Sequence, residues 1–278
     1  MSDTLIRVDV LVCDKGFATS REKAKEYISA GKIYINGKKE TKAGRKIDEN
    51  SDIEFKGEVI PYVSRGGLKL EKAIKQFEIE LKDKICLDIG ASTGGFTHCM
   101  LENGASKVYA IDVGHDQLVR ELRENPKVIS MEGVNIRYVT NDDIGELCDF
   151  ASIDVSFISL EKVIPAVSEL LNENGTVVAL IKPQFEVGRG KVNKKGVVKK
   201  QEDHINVLLK IVALLEGLNL KVEKLDYSPI KGPNGNIEYL INFKKSKNEI
   251  DKSFDIYKVS NLVKEAHSRL SLEEVWNL

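Results

Sequence analysis

The feature that most constrains this chain is a regular alternation of apolar strands and helices that opens at Ile85. Ile85-Cys86-Leu87-Asp88-Ile89 is a short apolar run bounded by turn residues, as expected of a strand buried on both faces. Strands are read at 84–89, 106–112, 126–131, 148–154, 175–182, 220–227 and 237–243, with helices at 95–103, 159–171 and 202–217 between them. Repeated βα units predict an α/β fold with a mainly parallel, seven-stranded sheet covered on both faces. Before the first strand a helix is predicted from Ser64, as its cap, with Leu68, Leu70, Ala73, Ile74 and Phe77 on one side. A closing helix is predicted from about 252 to 275.

Residues from about 5 to 57 have a different character. Two short helical patterns, the first over Ile6–Val12, precede the alternating strand Lys32-Ile33-Tyr34-Ile35 and the turn Asn36-Gly37. Thr19 or Ser20 is placed to cap the second helix, which Gly31 ends. Between Lys15 and Lys46 there are ten Lys or Arg against three Glu, although the whole chain has a net charge of only −1. Spread over a helix and a hairpin, that excess can face one phosphate backbone. Arg7-Val8-Asp9-Val10-Leu11, Ser20-Arg21-Glu22-Lys23-Ala24 and Ala30-Gly31-Lys32-Ile33-Tyr34-Ile35-Asn36-Gly37 resemble an S4 domain, a small α+β RNA-binding module. The candidate RNA contacts here are Arg7, Arg21, Lys23, Lys25, Lys32, Lys38 and Lys39. The expected division is an S4-like domain at 1–58, a linker at 59–63 around Pro61, and a second domain from 64 to 278.

Several classes are disfavoured. No run approaches 18 apolar residues, and the N-terminus lacks the pattern of a secretory signal. Cys13, Cys86, Cys99 and Cys148 have no metal-ligand spacing and read as reduced thiols, so no metal is expected. The histidines are assigned no chemistry. These points favour a cytoplasmic protein, and nothing suggests an obligate oligomer, so a monomer is expected.

After the first core strand comes Gly90-Ala91-Ser92-Thr93-Gly94-Gly95-Phe96-Thr97. A strand, a small-residue turn and a helix bring backbone N–H groups close to a ligand, and a Cβ would block that approach. The pattern is neither the GxGxxG fingerprint nor a P-loop. It resembles motif I of class I, Rossmann-like methyltransferases, which implies S-adenosylmethionine as cofactor, with Asp88, Gly90, Ala91, Ser92, Thr93, Gly94, Gly95 and Phe96 around it. Asp112, 24 residues after Asp88 at the next strand end, is the candidate ribose ligand. Glu132 and Asn135 are candidates for the adenine.

Asp154 and Lys182 end later strands, where open α/β sheets place their ligands. A Lys at a buried strand end needs a partner, and a salt bridge to Asp154 is the simplest. With Lys69 and Glu238, the ordered set Lys-Asp-Lys-Glu resembles the catalytic tetrad of FtsJ-type ribose 2′-O-methyltransferases. Together with Ser64-Arg65-Gly66-Gly67-Leu68-Lys69 and Ile181-Lys182-Pro183-Gln184-Phe185-Glu186-Val187-Gly188, the whole chain resembles the TlyA family, also labelled haemolysin A. That resemblance implies methylation of cytidine 2′-hydroxyls in 16S or 23S ribosomal RNA, with ribosomal subunits as partners. Lys182 is then the candidate base, its neutral form favoured by Lys69 nearby and by partial burial. Asp154 and Glu238 would orient it, and Lys69 would hold the hydroxyl or a phosphate. Arg65, Arg189 and Lys191 are further candidate RNA contacts, the last two in a basic, Gly-rich loop over 188–200. The alternatives are a non-catalytic RNA-binding or ribosome-assembly factor, a membrane-active haemolysin and a small-molecule methyltransferase. The intact tetrad disfavours the first, the missing span the second, and the basic N-terminal segment the third.

Overall fold

The computed structural model describes residues 5–18, 20–57, 60–188, 190–245 and 254–276, and the chain divides into two compact units, Met1–Pro61 and Tyr62–Leu278. Each has its own core, and each is described separately.

In the first unit, β1 (Leu5–Arg7) leads into α1 (Val8–Asp14) and α2 (Arg21–Ser29), followed by β2 (Ile33–Ile35), β3 (Lys38–Glu40), β4 (Lys46–Asp48) and β5 (Ile53–Phe55). Ser20 caps α2 by accepting the Lys23 N–H at 3.2 Å, while Thr19 lies outside the described residues. Asn36 and Gly37 both adopt positive φ, 48° and 75°, the turn that joins β2 to β3. One face of the two helices packs Val8, Leu11, Val12, Ala24, Tyr27 and Ile28 against Ile33, Ile35, Ile47 and Ile53. The expected first helix is shifted two residues along the chain, because Ile6 and Arg7 pair with Ile47 and Lys46 as strands. The segments β4 and β5 were not foreseen. Three residues are too few to show a period of two, and their pairing depends on partners far along the chain.

The second unit opens with α3 (Gly67–Phe77). It continues β6 (Ile85–Ile89), α4 (Gly95–Glu102), β7 (Lys107–Asp112), α5 (Arg120–Arg123), β8 (Val128–Glu132), α6 (Asn141–Ile144) and β9 (Cys148–Ile153). Then come α7 (Ile164–Glu169), β10 (Leu171–Ile181), α8 (Pro183–Glu186), α9 (Gln201–Gly217), β11 (Leu220–Tyr227), β12 (Tyr239–Lys245) and α10 (Ile256–Trp276). The seven strands form one sheet in the order β11-β12-β10-β9-β6-β7-β8. All neighbours from β10 to β8 are parallel, and β12 lies antiparallel between β10 and β11. The predicted mainly parallel, seven-stranded sheet is therefore what the chain forms.

The parallel strands are apolar on both faces, with Leu87, Ala151 and Ala179 on one and Cys86, Phe150 and Val178 on the other all nearly inaccessible. The expected helix over 159–171 breaks into a 3₁₀ turn at Leu160–Lys162 and α7, and β10 starts early, at Leu171. Ser64 does not cap α3. The cap position is Gly66, without a side-chain bond, and Ser64 instead offers its carbonyl to the Gly67 N–H at 3.2 Å. Cys86, Cys99 and Cys148 are buried free thiols, and Cys13 is half-buried.

Candidate active site

The chain leaves the centre of the sheet in both directions, β6 to β7 on one side and β9 on the other, so a crevice opens beyond the carboxyl ends of β6 and β9. The residue after β6 is Gly90 and the residue after β9 is Asp154. Their backbones nearly touch. A Cβ on Gly90 would stand 2.6 Å from the Asp154 carbonyl oxygen, and the φ of +84° there is itself one that side chains resist. A cavity of about 500 Å³ lies in this crevice, with Gly90, Ser92, Asp112, Asn135, Asp154 and Ser156 in its wall. A smaller one, about 120 Å³, shares Gly90, Ser92 and Asp154 and continues past Ala91, Thr93, Gly95 and Phe96 to Ser64 and Gly66.

Asp112, at the end of β7, accepts the Ser92 N–H on Oδ2 (2.8 Å) and the Gly114 N–H on Oδ1 (2.7 Å). Those two bonds fix its carboxylate in the cavity wall. Asn135 also lines the cavity and accepts the Arg137 N–H at 3.2 Å. Three of the cofactor candidates line neither cavity: Gly94, where a Cβ would meet the Leu118 and Leu122 side chains, and two carboxylates. Asp88 is fully buried, with its oxygens taken by the Thr97 hydroxyl (2.6 Å) and the Ser152 hydroxyl (3.0 Å), and burial raises its pKa to about 6. Glu132 accepts the Gln117 and Leu118 N–H groups at 2.6 and 2.9 Å, and these bonds hold its carboxyl below the usual range. Asp88 thus braces the glycine loop from behind, and Glu132 braces the loop that carries Gln117 into the wall.

At the rim of the same crevice the structure brings together four charged side chains scattered over 169 residues of sequence. Lys69, on the first turn of α3, lies 2.6 Å from Glu238 Oε2 and 3.8 Å from Asp154 Oδ2. Asp154 Oδ1 is 2.5 Å from Lys182 Nζ, the salt bridge expected from sequence. Lys182 also donates to Ser156 Oγ at 3.0 Å. The order is therefore Lys182–Asp154–Lys69–Glu238, alternating in sign, so Lys69 touches the carboxylates and not Lys182. Both lysines are 8% exposed and Glu238 is fully buried, so each charge relies on its neighbours in place of water. Glu238 comes from the residue before β12. Because that strand alone runs against the others in the parallel set, its start meets their ends.

Sequence reasoning missed Ser156 and Phe157. Phe157 is 91% exposed, adopts a φ of 64°, and sits in the cavity wall with its ring 5.1 Å from that of Phe185. A large aromatic held exposed in a strained conformation is a functional signal, but only the backbone angle reveals it. The one trace in the sequence is an aromatic placed just after a strand-ending acid. Among the described residues Glu238 Oε1 has no hydrogen-bond partner, and it faces Gly232, where a Cβ would overlap it.

The candidate RNA contacts fall into two groups. Arg7 and Arg21 both grip Asp9, a fully buried carboxylate that they hold at a pKa of about 2. Their side chains stay 43% and 50% exposed, so each binds its partner with one edge and shows solvent the other. Lys23 pairs with Glu26 at 2.9 Å, Lys25 lies 4.0 Å from Glu22, and Lys32 lies over the Tyr27 ring. Lys38 and Lys39 are exposed on β3. In the second unit Arg65 is exposed, Lys191 pairs with Asp203 at 2.9 Å, and Arg189 lies outside the described residues. The end of the 188–200 loop is anchored, since Asn236 accepts the Val198 N–H and the His204 ring contacts the Val198 carbonyl.

A doubly wound sheet of this order, with a glycine loop after its first strand and a carboxylate after its second, defines a class I methyltransferase fold. The chain belongs to the FtsJ-like methyltransferase family, which matches residues 62–245, and an S4 domain matches residues 6–53. It is 38% identical over 236 residues to the 16S/23S rRNA (cytidine-2′-O)-methyltransferase TlyA of Mycobacterium tuberculosis, covering 84% of this chain and 88% of that protein. It is 44% identical over 239 residues to a Brachyspira hyodysenteriae protein named Hemolysin A, covering 86% of this chain and 99% of that one. A solved structure of a candidate hemolysin from Streptococcus thermophilus aligns with a TM-score of 0.78 at 44% identity, covering 98% and 99% of the two chains. Among the described residues no helix is long and apolar enough to cross a membrane, and no cluster of side chains fits a metal ion.

Proposed function

We propose that this protein transfers a methyl group from S-adenosylmethionine to the ribose 2′-hydroxyl of cytidine in ribosomal RNA, acting in the cytoplasm where that RNA is found. The observation that carries this reading is the assembled charge row Lys182–Asp154–Lys69–Glu238 at the rim of the glycine-loop crevice. A small-molecule methyltransferase has no need of two buried lysines beside its acceptor, nor of an S4 domain.

The residues present fit the cofactor. Gly90, in a conformation that side chains resist, seats the loop against the Asp154 backbone in the wall of the cavity, and Asp112 keeps lone pairs free on oxygens already fixed by two N–H groups. Asp112 would take the ribose hydroxyls, Asn135 the adenine, and the 90–96 loop the methionine part. When bound, S-adenosylmethionine supplies an electrophilic methyl group. What the chain must add is placement of the acceptor oxygen and removal of its proton. Lys182, in its uncharged form, takes that proton at Nζ, and the ammonium it becomes is the cation that Asp154 pairs. Asp154, touching both lysines, fixes their separation, and Glu238 holds Lys69 from the far side so that Lys69 can meet the target hydroxyl or the adjacent phosphate. Phe157, exposed at the rim, offers the target nucleotide a stacking face.

The test is transfer of radiolabelled methyl from S-adenosylmethionine to purified ribosomal subunits, beside Lys182→Ala. The expected result is label in RNA at a linkage that resists alkali, absent with the variant although the variant still binds cofactor. Full activity of Lys182→Ala would remove Lys182 as the base.

A further inference from the structure

How Lys182 is aimed is a separate matter from whether it acts as base, and the answer rests on the methyl-transfer reading above. A tetrahedral nitrogen has four directions, one of them occupied by its own Cε. In Lys182, Ser156 Oγ takes a second by accepting a hydrogen bond at 3.0 Å, whereas Asp154 Oδ1, 2.5 Å away, is an ion-pair partner without hydrogen-bond alignment. The carboxylate therefore supplies charge and the hydroxyl supplies direction. We propose that Ser156 is a positioning residue, whose hydroxyl, beside the charge of Asp154, turns Nζ so that an unassigned direction meets the acceptor hydroxyl.

Two further features support a built role for this serine. Ser156 lies in the wall of the same cavity as Asp154, where a hydroxyl gives direction without adding another negative charge to the row. Its loop is also tied to the element that carries Lys182. Glu186, on α8 and 7% exposed, accepts the Ser159 hydroxyl at 2.7 Å and the Leu160 N–H at 2.8 Å. The loop and the lysine are thus held together at both ends of one turn of helix, by Glu186 at one and by the Ser156–Lys182 bond at the other. Phe157, next to Ser156, keeps its positive φ within that brace.

The experiment uses the full chain, ribosomal subunits and S-adenosylmethionine, with Ser156→Ala and Ser156→Thr. Cofactor affinity is read by calorimetry, and kcat and KM for subunits by methyl incorporation. Loss of one hydrogen bond to a charged group predicts a fall in kcat of about 10- to 100-fold for Ser156→Ala. Cofactor affinity and KM should change far less than kcat, because Asp112, Asn135 and the 90–96 loop, which would hold the cofactor, are left intact. Ser156→Thr keeps the oxygen and should recover most of the rate. A Ser156→Ala enzyme with wild-type kcat, or a threonine variant as impaired as the alanine one, overturns the assignment. Wild-type protein that binds cofactor yet transfers no methyl to any subunit would sink the methyl-transfer reading, and this inference with it.

Discussion

At the scale of single residues, the row of four charges behaves as one unit. Truncating Glu238 to Ala leaves Lys69 with only the 3.8 Å contact to Asp154, in a position that water barely reaches. The expected loss of stability is roughly 3 kcal/mol, the lower end of what breaking a buried pair costs. Because the partner charge is then the cause of the damage, Lys69→Met in the same chain should cost less than it does alone, which a thermal double-mutant cycle measures. Asp88 gives a second prediction, through pH. Burial raises its pKa from the ordinary 3.8 to about 6, so the folded chain binds that proton more tightly than the unfolded one. Its contribution is complete below 3.8 and is lost as pH rises through about 6. Asp88→Asn removes that loss, so its melting temperature relative to wild type should climb between pH 4 and pH 7. A constant offset would disprove the assignment. At this scale the sequence was generous with strand-end residues. Asp112, Asp154 and Lys182 occupy the positions that the fold rule assigns to ligands. It misled on Asp88 and Glu132, because a carboxylate at a strand end points to the ligand or back into the scaffold by a rotation that no pattern records.

At the scale of elements, the loop before β12 sets the far end of the row. Gly232 has an ordinary φ of −73°, so the backbone does not require glycine there; the space beside Glu238 Oε1 does. Gly232→Ala should push that carboxylate off Lys69 and lower kcat by about 10-fold or more. In a Glu238→Ala background the same substitution should cost little further rate, and an undiminished penalty would show that the loop matters for some other reason. The continuously apolar strand β6 was legible from sequence almost to the residue, because burial on both faces leaves little choice of residue type, and β11 was legible through its alternation of apolar and charged residues. The three-residue strands β1, β4 and β5 were not. They are specified by partners rather than by their own composition, and Ile6, read as the start of a helix, pairs with Ile47 instead.

For the whole molecule, two units with separate cores imply two separable contributions to the reaction. Removing residues 1–61 should leave S-adenosylmethionine binding in place and weaken binding to ribosomal subunits, with a flatter dependence on salt as phosphate contacts are lost. An equal salt slope for the truncated chain would mean that the basic side chains of the first unit do not touch RNA. Charge clustering pointed to this unit, but the sequence did not reveal that Arg7 and Arg21 share a buried Asp9. One consequence of the sheet's topology concerns the order in which the protein is made. The glycine loop, Asp112 and Asp154 are complete early, whereas Glu238 arrives with β12, which must insert between β10 and a strand synthesised before it. A nascent chain folding from its N-terminus therefore gains the parts of a cofactor pocket long before its charge row is closed. On the function proposed above, the emerging polypeptide gains methyl-transfer chemistry only once nearly all of this domain has left the tunnel.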